Sequence, residues 1–280
     1  MTPDRRSRVM NKKMHRRASL AQPLNISIIA HRGNTATVKS ENTIEAFQQA
    51  MVVLQDCAHD IGSNQIEFDL RMSKDGYLIS YHDRSIDDIN IGDLYYHELR
   101  SISQSKGFDI PLFEDILKLC RDRIALDIEL KEEGYEDLIV ALTTKYLKHS
   151  DFVIKSFNDA SVRKIKDLDP QIKTGLLLGK VSGKFPLFSI ISQFFPEYRI
   201  LKTGADFVAP HFRLLKFGFL WRMKLLHREV YVWTVNEEWR LFKLLGSKYI
   251  SAIITDKPEL ALKILDTLRN ERERAVGKNR

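Results

Sequence analysis

The sequence predicts an α/β protein built as one (β/α)8 barrel of the TIM type, with a small insertion after its second or third strand. Three observations carry this. The chain has 280 residues, and such a barrel takes about 250 as a single domain. Nine short apolar runs recur along it, most without the polar alternation of a one-sided sheet, as parallel strands buried on both faces do. Segments with helical spacing lie between them, and so many strand–helix repeats favour a closed barrel over an open sheet.

In chain order the runs are 26–30, 65–69, 78–82, 124–130, 152–157, 173–178, 206–209, 229–235 and 252–255. Helices are expected over 43–55, 113–121, 136–147, 159–168, 238–246 and 259–269. In the first, Ile44, Phe47, Met51 and Leu54 mark one face. Asn42 is its expected N-cap, with Glu45 in the capping-box position. Nine runs exceed the eight places of a barrel. The run at 78–82 follows Asp69 too closely for a helix between them, so either that step lacks its helix or one run is accessory. Residues 84–112 show no regular periodicity and read as an excursion above the barrel mouth, an inserted cap.

Hydrophobic residues make up 44% and charged residues 29%, ample for a core. Cys57 and Cys120 have no metal-ligand spacing and are expected as buried free thiols, which points weakly to a reducing compartment. The net charge of +7 sits in the ends. Residues 1–22 carry +6 and residues 269–280 carry +3, leaving about −2 on the body. The expected organisation is a flexible basic segment 1–22, a barrel over 23–268 and a basic C-terminal tail 269–280. No recognised nucleic-acid-binding motif accompanies the basic ends, so nucleic acid is not an expected partner. Neither a signal-like apolar segment nor a run of about 18 uncharged apolar residues occurs, so a cytoplasmic protein is expected.

The chemistry lies where strands end, because the C-terminal strand ends form the active face of a barrel. Glu67 and Asp69 are two apart on one strand and project to the same side. Glu129, on another strand, can complete a three-carboxylate cluster. Three acids together repel unless a positive charge sits between them. A hard divalent cation, Mg2+ or Ca2+, is one solution; the alternatives are separate surface acids or ion pairs with Arg32 or Lys131. His31 and His82 can exchange protons near neutral pH. Arg32 and Lys131 suit a phosphate. Together these groups are the expected set for metal-assisted phosphodiester cleavage.

An ordered series of motifs makes this specific. It comprises His31-Arg32-Gly33, Glu41-Asn42-Thr43 with Ala46-Phe47, Glu67-Phe68-Asp69, Lys74-Asp75-Gly76 and His82-Asp83. Pro111-Leu112, Asp127-Ile128-Glu129-Leu130-Lys131, Ser156-Phe157, Trp233-Thr234-Val235-Asn236 and Ile254-Thr255-Asp256-Lys257-Pro258 follow. Over nearly all of residues 27–265 the chain resembles the glycerophosphodiester phosphodiesterase family. Two departures are Ser40, where the family commonly has proline, and a loop 34–40 without the usual glycines. The resemblance implies that Glu67, Asp69 and Glu129 hold one divalent cation, Mg2+ or Ca2+. It implies that His31 and His82 are the general acid and base. Arg32 and Lys131 would bind phosphate, and Trp233 would line the glycerol or head-group side. The implied reaction is hydrolysis of a small-molecule diester, such as glycerophosphocholine or glycerophosphoethanolamine, to sn-glycerol 3-phosphate and an alcohol.

Residues 185–198 are strongly apolar, and 211–228 mix large apolar with basic side chains. They read either as barrel helices or as a peripheral membrane contact. The second reading carries an alternative activity, lysophospholipase D-like cleavage at a membrane surface.

Overall fold

The computed structural model describes residues 25–36, 38–56, 64–179 and 186–277; the basic segment 1–22, Cys57 and Phe185 lie outside them. The strands are β1 (Ser27–His31), β2 (Gln65–Met72), β3 (Leu78–Ser80), β4 (Ser85–Ile86), β5 (Ile89–Asn90), β6 (Ala125–Leu130), β7 (Phe152–Ser156), β8 (Thr174–Leu178), β9 (Phe207–Pro210), β10 (Glu229–Val232) and β11 (Ala252–Thr255). The helices are α1 (Ile44–Asp56), α2 (Tyr96–Ser105), α3 (Phe113–Cys120), α4 (Glu136–Tyr146), α5 (Asp159–Leu168), α6 (Pro186–Phe194), α7 (Glu197–Thr203), α8 (Phe219–Leu225), α9 (Glu238–Leu245) and α10 (Pro258–Gly277).

Strands β2 and β6 to β11 pair in parallel in chain order, and β1 joins both β11 and β2, which closes an eight-stranded barrel. The ninth run is accessory. β3 pairs antiparallel to β2 on its way back, and α3 is the helix of the β2-to-β6 step. Strand order and helix alternation therefore match the fold class expected from the apolar runs.

Two cores follow from the two-sided burial of parallel strands. One lies between strands and helices, with Ile28, Phe47, Ile66, Phe68, Phe113 and Leu126 among its members. The other fills the barrel, with Ile29, Leu177, Phe207, Tyr231 and Ile254. Gly175 makes the second possible, because a Cβ there would meet the Phe207 ring at 2.2 Å. Cys120 is a buried free thiol, and burial pushes it up to about 12.

Three expectations need correcting. The excursion 84–112 is not irregular throughout: it holds the β4–β5 hairpin and the ten-residue α2. Its order comes from a small core of Ile79, Ile86, Ile91, Leu94, Leu99 and Ile110, a tertiary cluster that local periodicity does not reveal. Residues 269–277 continue α10 rather than forming a separate tail. Asn42 does not cap α1. The Thr43 hydroxyl accepts from the Ala46 amide, while Asn42 has φ 58° and turns its side chain inward.

Candidate active site

Strand register sets the acids level. His31 stands beside Glu67, Glu67 beside Asp127, and Asp69 beside Glu129. Each residue pair two apart on β2 and β6 points into the barrel. Glu67, Asp69 and Glu129 are buried, and one oxygen from each lies within 4.8 Å of the others. Oxygens so spaced can share one cation at contacts of about 2.1 to 2.5 Å. The expected trio is thus assembled, and its donors are of the kind a hard divalent ion takes.

Fixed cations surround the acids. Lys131 Nζ lies 2.5 Å from Glu129 Oε1 and 2.8 Å from Asp69 Oδ1. Arg32 Nε lies 3.3 Å from Asp69 Oδ2, and its Nη1 lies 2.6 Å from Glu41 Oε1. Burial alone would raise Asp69, but Lys131, Arg32 and His82 hold it well below the usual carboxylate range. Glu129 is raised, first by burial and then by the charges of Asp69 and Glu67, which Lys131 offsets only in part. Crowding of like charges is therefore not fully relieved by the protein's own cations, and a divalent ion would relieve it.

The backbone before α1 is shaped to this end. Arg32 has φ 57°, a conformation uncommon for a side-chain-bearing residue. It turns its amide to Glu67 Oε2 at 3.1 Å. Gly33 follows at φ 86°, and a Cβ there would lie 2.7 Å from Ala46, so only glycine lets this loop rest on α1. Asn42 brackets Asp69: its Nδ2 donates to Oδ2 at 2.9 Å, and its Oδ1 accepts the Asp69 amide at 3.2 Å.

His31 and His82 reach the same cavity, of about 120 Å3, as Arg32, Glu67, Glu129 and Lys131. His31 Nδ1 bonds Asp256 Oδ1 at 2.6 Å, and Nε2 lies 4.0 Å from Glu67 Oε2. Burial pulls His31 down, but Glu67 and the Asp256 bond outweigh it and leave it raised. His82 Nδ1 bonds Asp83 Oδ1 at 2.8 Å, and Arg71 holds the His82 carbonyl. Trp233 closes the apolar side. Its Nε1 donates to the Ala209 carbonyl at 2.6 Å, and Phe157 packs edge-on at 5.8 Å.

Asp256, Lys155 and Asp127 are among the contributors to which the sequence alone assigned no role. Asp256 orients His31 and is itself held by Asn236 at 2.5 Å. Lys155, fully buried on β7, pairs with Asp127 at 2.6 Å and Glu67 at 3.3 Å. Burial and the Glu67 charge push Asp127 up to about 6 despite Lys155. The available signal was parity: Lys155 interrupts an apolar run at an inward position.

Fold and site together define a (β/α)8 barrel enzyme with an acidic centre at its mouth. The chain belongs to the glycerophosphoryl diester phosphodiesterase family, which matches it over residues 31–260. A glycerophosphodiester phosphodiesterase of Caldanaerobacter subterraneus subsp. tengcongensis is 26% identical over 258 residues, covering 85% of this chain and 97% of that relative. The crystal structure of a glycerophosphodiester phosphodiesterase from Parabacteroides distasonis shares the fold at TM-score 0.72 and 24% identity, covering 88% of this chain and 99% of that one. A phosphodiesterase of Oleispira antarctica, solved with its product sn-glycerol-3-phosphate, shares it at TM-score 0.70 and 19% identity, covering 88% and 100%.

Proposed function

We propose that the chain hydrolyses glycerophosphodiesters, such as glycerophosphocholine or glycerophosphoethanolamine, to sn-glycerol 3-phosphate and an alcohol in a metal-dependent reaction. The observation that carries this is one cavity lined by His31, His82 and members of a three-carboxylate cluster. Glu67, Asp69 and Glu129 are the ligands of one divalent cation, Mg2+ or Ca2+. Such an ion supplies Lewis-acid polarisation of a phosphate oxygen. Arg32 and Lys131 bind the phosphate and spread its developing charge. One histidine takes the proton of the attacking hydroxyl, of water or of the neighbouring glycerol carbon. The other gives a proton to the leaving alkoxide as its P–O bond breaks. Water attack gives sn-glycerol 3-phosphate directly; attack by the glycerol hydroxyl gives a cyclic phosphate first, which water then opens. Asp256 and Asp83 fix the two rings through their Nδ1 atoms. Trp233 and Phe157 wall the apolar side of the glycerol or head group.

The test is release of sn-glycerol 3-phosphate from glycerophosphocholine with EDTA, Mg2+ or Ca2+. Turnover that EDTA abolishes and one ion restores is expected; no turnover with either ion would sink the reading.

A second reading has its own observation. Ile191, Phe195, Phe217 and Trp221 are exposed, the last three at 48%, 67% and 58%. Phe195 and Phe217 stack at 6.2 Å, and residues 207–228 contain five lysines or arginines and no acid. α6 is tied to the mouth by Gln193, which accepts the Gly179 amide at 2.8 Å. Such a basic, aromatic surface suits peripheral contact of 185–198 and 211–228 with anionic lipid. It would admit lysophospholipids as substrates. Among the described residues no helix is long and apolar enough to cross a membrane. Salt-sensitive binding to phosphatidylserine vesicles, lost in Phe217→Asp, is the expected result; vesicle binding indifferent to salt and to that change counts against it.

A further inference from the structure

The catalytic cavity is bounded by His82, and a second cavity begins on the other side of that residue. His82 lines both the space of about 120 Å3 and a neighbour of about 320 Å3. The second space lies between the loop after β1 and the inserted excursion. Two of its walls are aromatic: the Tyr81 and Phe108 rings are parallel within 1°, with centroids 6.4 Å apart. Two carboxylates line it, Glu41 and Asp83. Each commits one oxygen to an inner partner, Glu41 Oε1 to Arg32 at 2.6 Å and Asp83 Oδ1 to His82 at 2.8 Å. The one lysine or arginine among its described lining residues is Lys39, exposed on the loop. Tyr81 reports the local field: its phenol is raised first by burial and then by the charges of Asp83 and Glu41.

Carboxylates beside aromatic faces recognise an ammonium group, by charge and by cation–π attraction. An uncharged alcohol gains neither. We propose that this second cavity is the subsite for the leaving alcohol and selects a cationic amino alcohol, with a primary or quaternary ammonium. The proposal rests on the diesterase reading above. The diester spans His82, with its glycerol phosphate in the inner cavity and its ammonium against Tyr81, Phe108, Glu41 and Asp83.

The test compares kcat/KM of the metal-loaded full chain on three diesters with the same glycerol phosphate half. These are glycerophosphocholine, glycerophosphoethanolamine and glycerophosphoglycerol. The two diesters with an ammonium head group are expected to exceed glycerophosphoglycerol by roughly tenfold. Thr35→Lys places a new cation on a partly exposed lining position without touching the core, and is expected to bring that ratio to one or reverse it. Phe108→Ala is expected to lower it by about threefold. Choline alone should inhibit hydrolysis of glycerophosphoglycerol, and more weakly in both variants. Equal values on all three diesters, or an unchanged ratio in Thr35→Lys, would overturn the subsite while leaving the diesterase reading intact. No turnover on any of the three with any divalent cation would overturn that reading and the subsite with it.

Discussion

The two halves of the barrel interior are built on different physics. On β1, β2, β6 and β7 the inward positions toward the mouth carry His31, Glu67, Asp69, Asp127, Glu129 and Lys155, all buried or nearly so, with Ile29 and Val153 the apolar exceptions. On β8 to β11 they carry Leu177, Phe207, Ala209, Tyr231 and Ile254. In the apolar half each side chain contributes area removed from water, and one substitution costs what that side chain buried. In the charged half no residue is stable alone. Asp127 needs Lys155, and Asp69 needs Lys131, Arg32 and Asn42. Burial makes an unpaired charge expensive, so the charged half is kept by mutual pairing and used for chemistry.

That contrast can be broken most sharply by activity. His31→Ala or His82→Ala should lower kcat by roughly 100- to 10,000-fold with thermal unfolding little changed. Trp233→Leu, on the apolar wall, should act chiefly on KM. Steady-state kinetics beside a melting curve distinguish the two. Near-wild-type kcat in either histidine variant would remove that residue from the acid–base pair.

Stability tests the same contrast from the other side. Lys155→Met leaves Asp127 buried and unpaired and should cost about 3 to 5 kcal/mol in urea unfolding. Phe207→Ala should cost about as much by opening a cavity. The halves differ in rescue. Adding Asp127→Leu to Lys155→Met should recover most of the loss, whereas no second truncation should refill the Phe207 cavity. A double variant no better than Lys155→Met alone would contradict the pairing account.

A smaller effect is expected at Gly175→Ala. The new methyl would drive into the Phe207 ring and cost about 1 to 3 kcal/mol, and Phe207→Leu in the same chain should relieve part of it. Smallest is the surface pair His149–Asp169, at 2.8 Å. The His149 bond holds the Asp169 carboxyl below its ordinary value. A depressed carboxyl stabilises the fold above the usual carboxylate range and loses that contribution as pH falls through its lowered value. Asp169→Asn should therefore cost at most about 1 kcal/mol at neutral pH and nothing once Asp169 is protonated in the parent. A cost independent of pH would assign it to packing.

Much of this was legible from residue order. Alternation of apolar runs with helical spacing requires a parallel sheet covered on both faces, and side-chain parity on β2 alone puts Glu67 and Asp69 together. The excursion's helix α2 was not legible, because Leu99 is buried by Ile79, Ile86 and Ile110 rather than by a local stripe. Asn42 had the spacing of a cap and serves a carboxylate 27 positions away. Asp256 stood at a strand end with no visible partner, since that partner, His31, is 225 positions earlier.

The sequence by itself determined the alternation of barrel strands and helices, the inward acids of β2 and β6, and the family resemblance, because these depend on residue identity and on periods of two and 3.6. Closure of β1 onto β11, the accessory place of β3, and the pairings of Lys155, Asn42 and Asp256 were decided only by the tertiary structure. Charges and hydrogen-bonding groups choose partners by distance in space, at a few ångströms, and the barrel alone brings those distant segments within that reach.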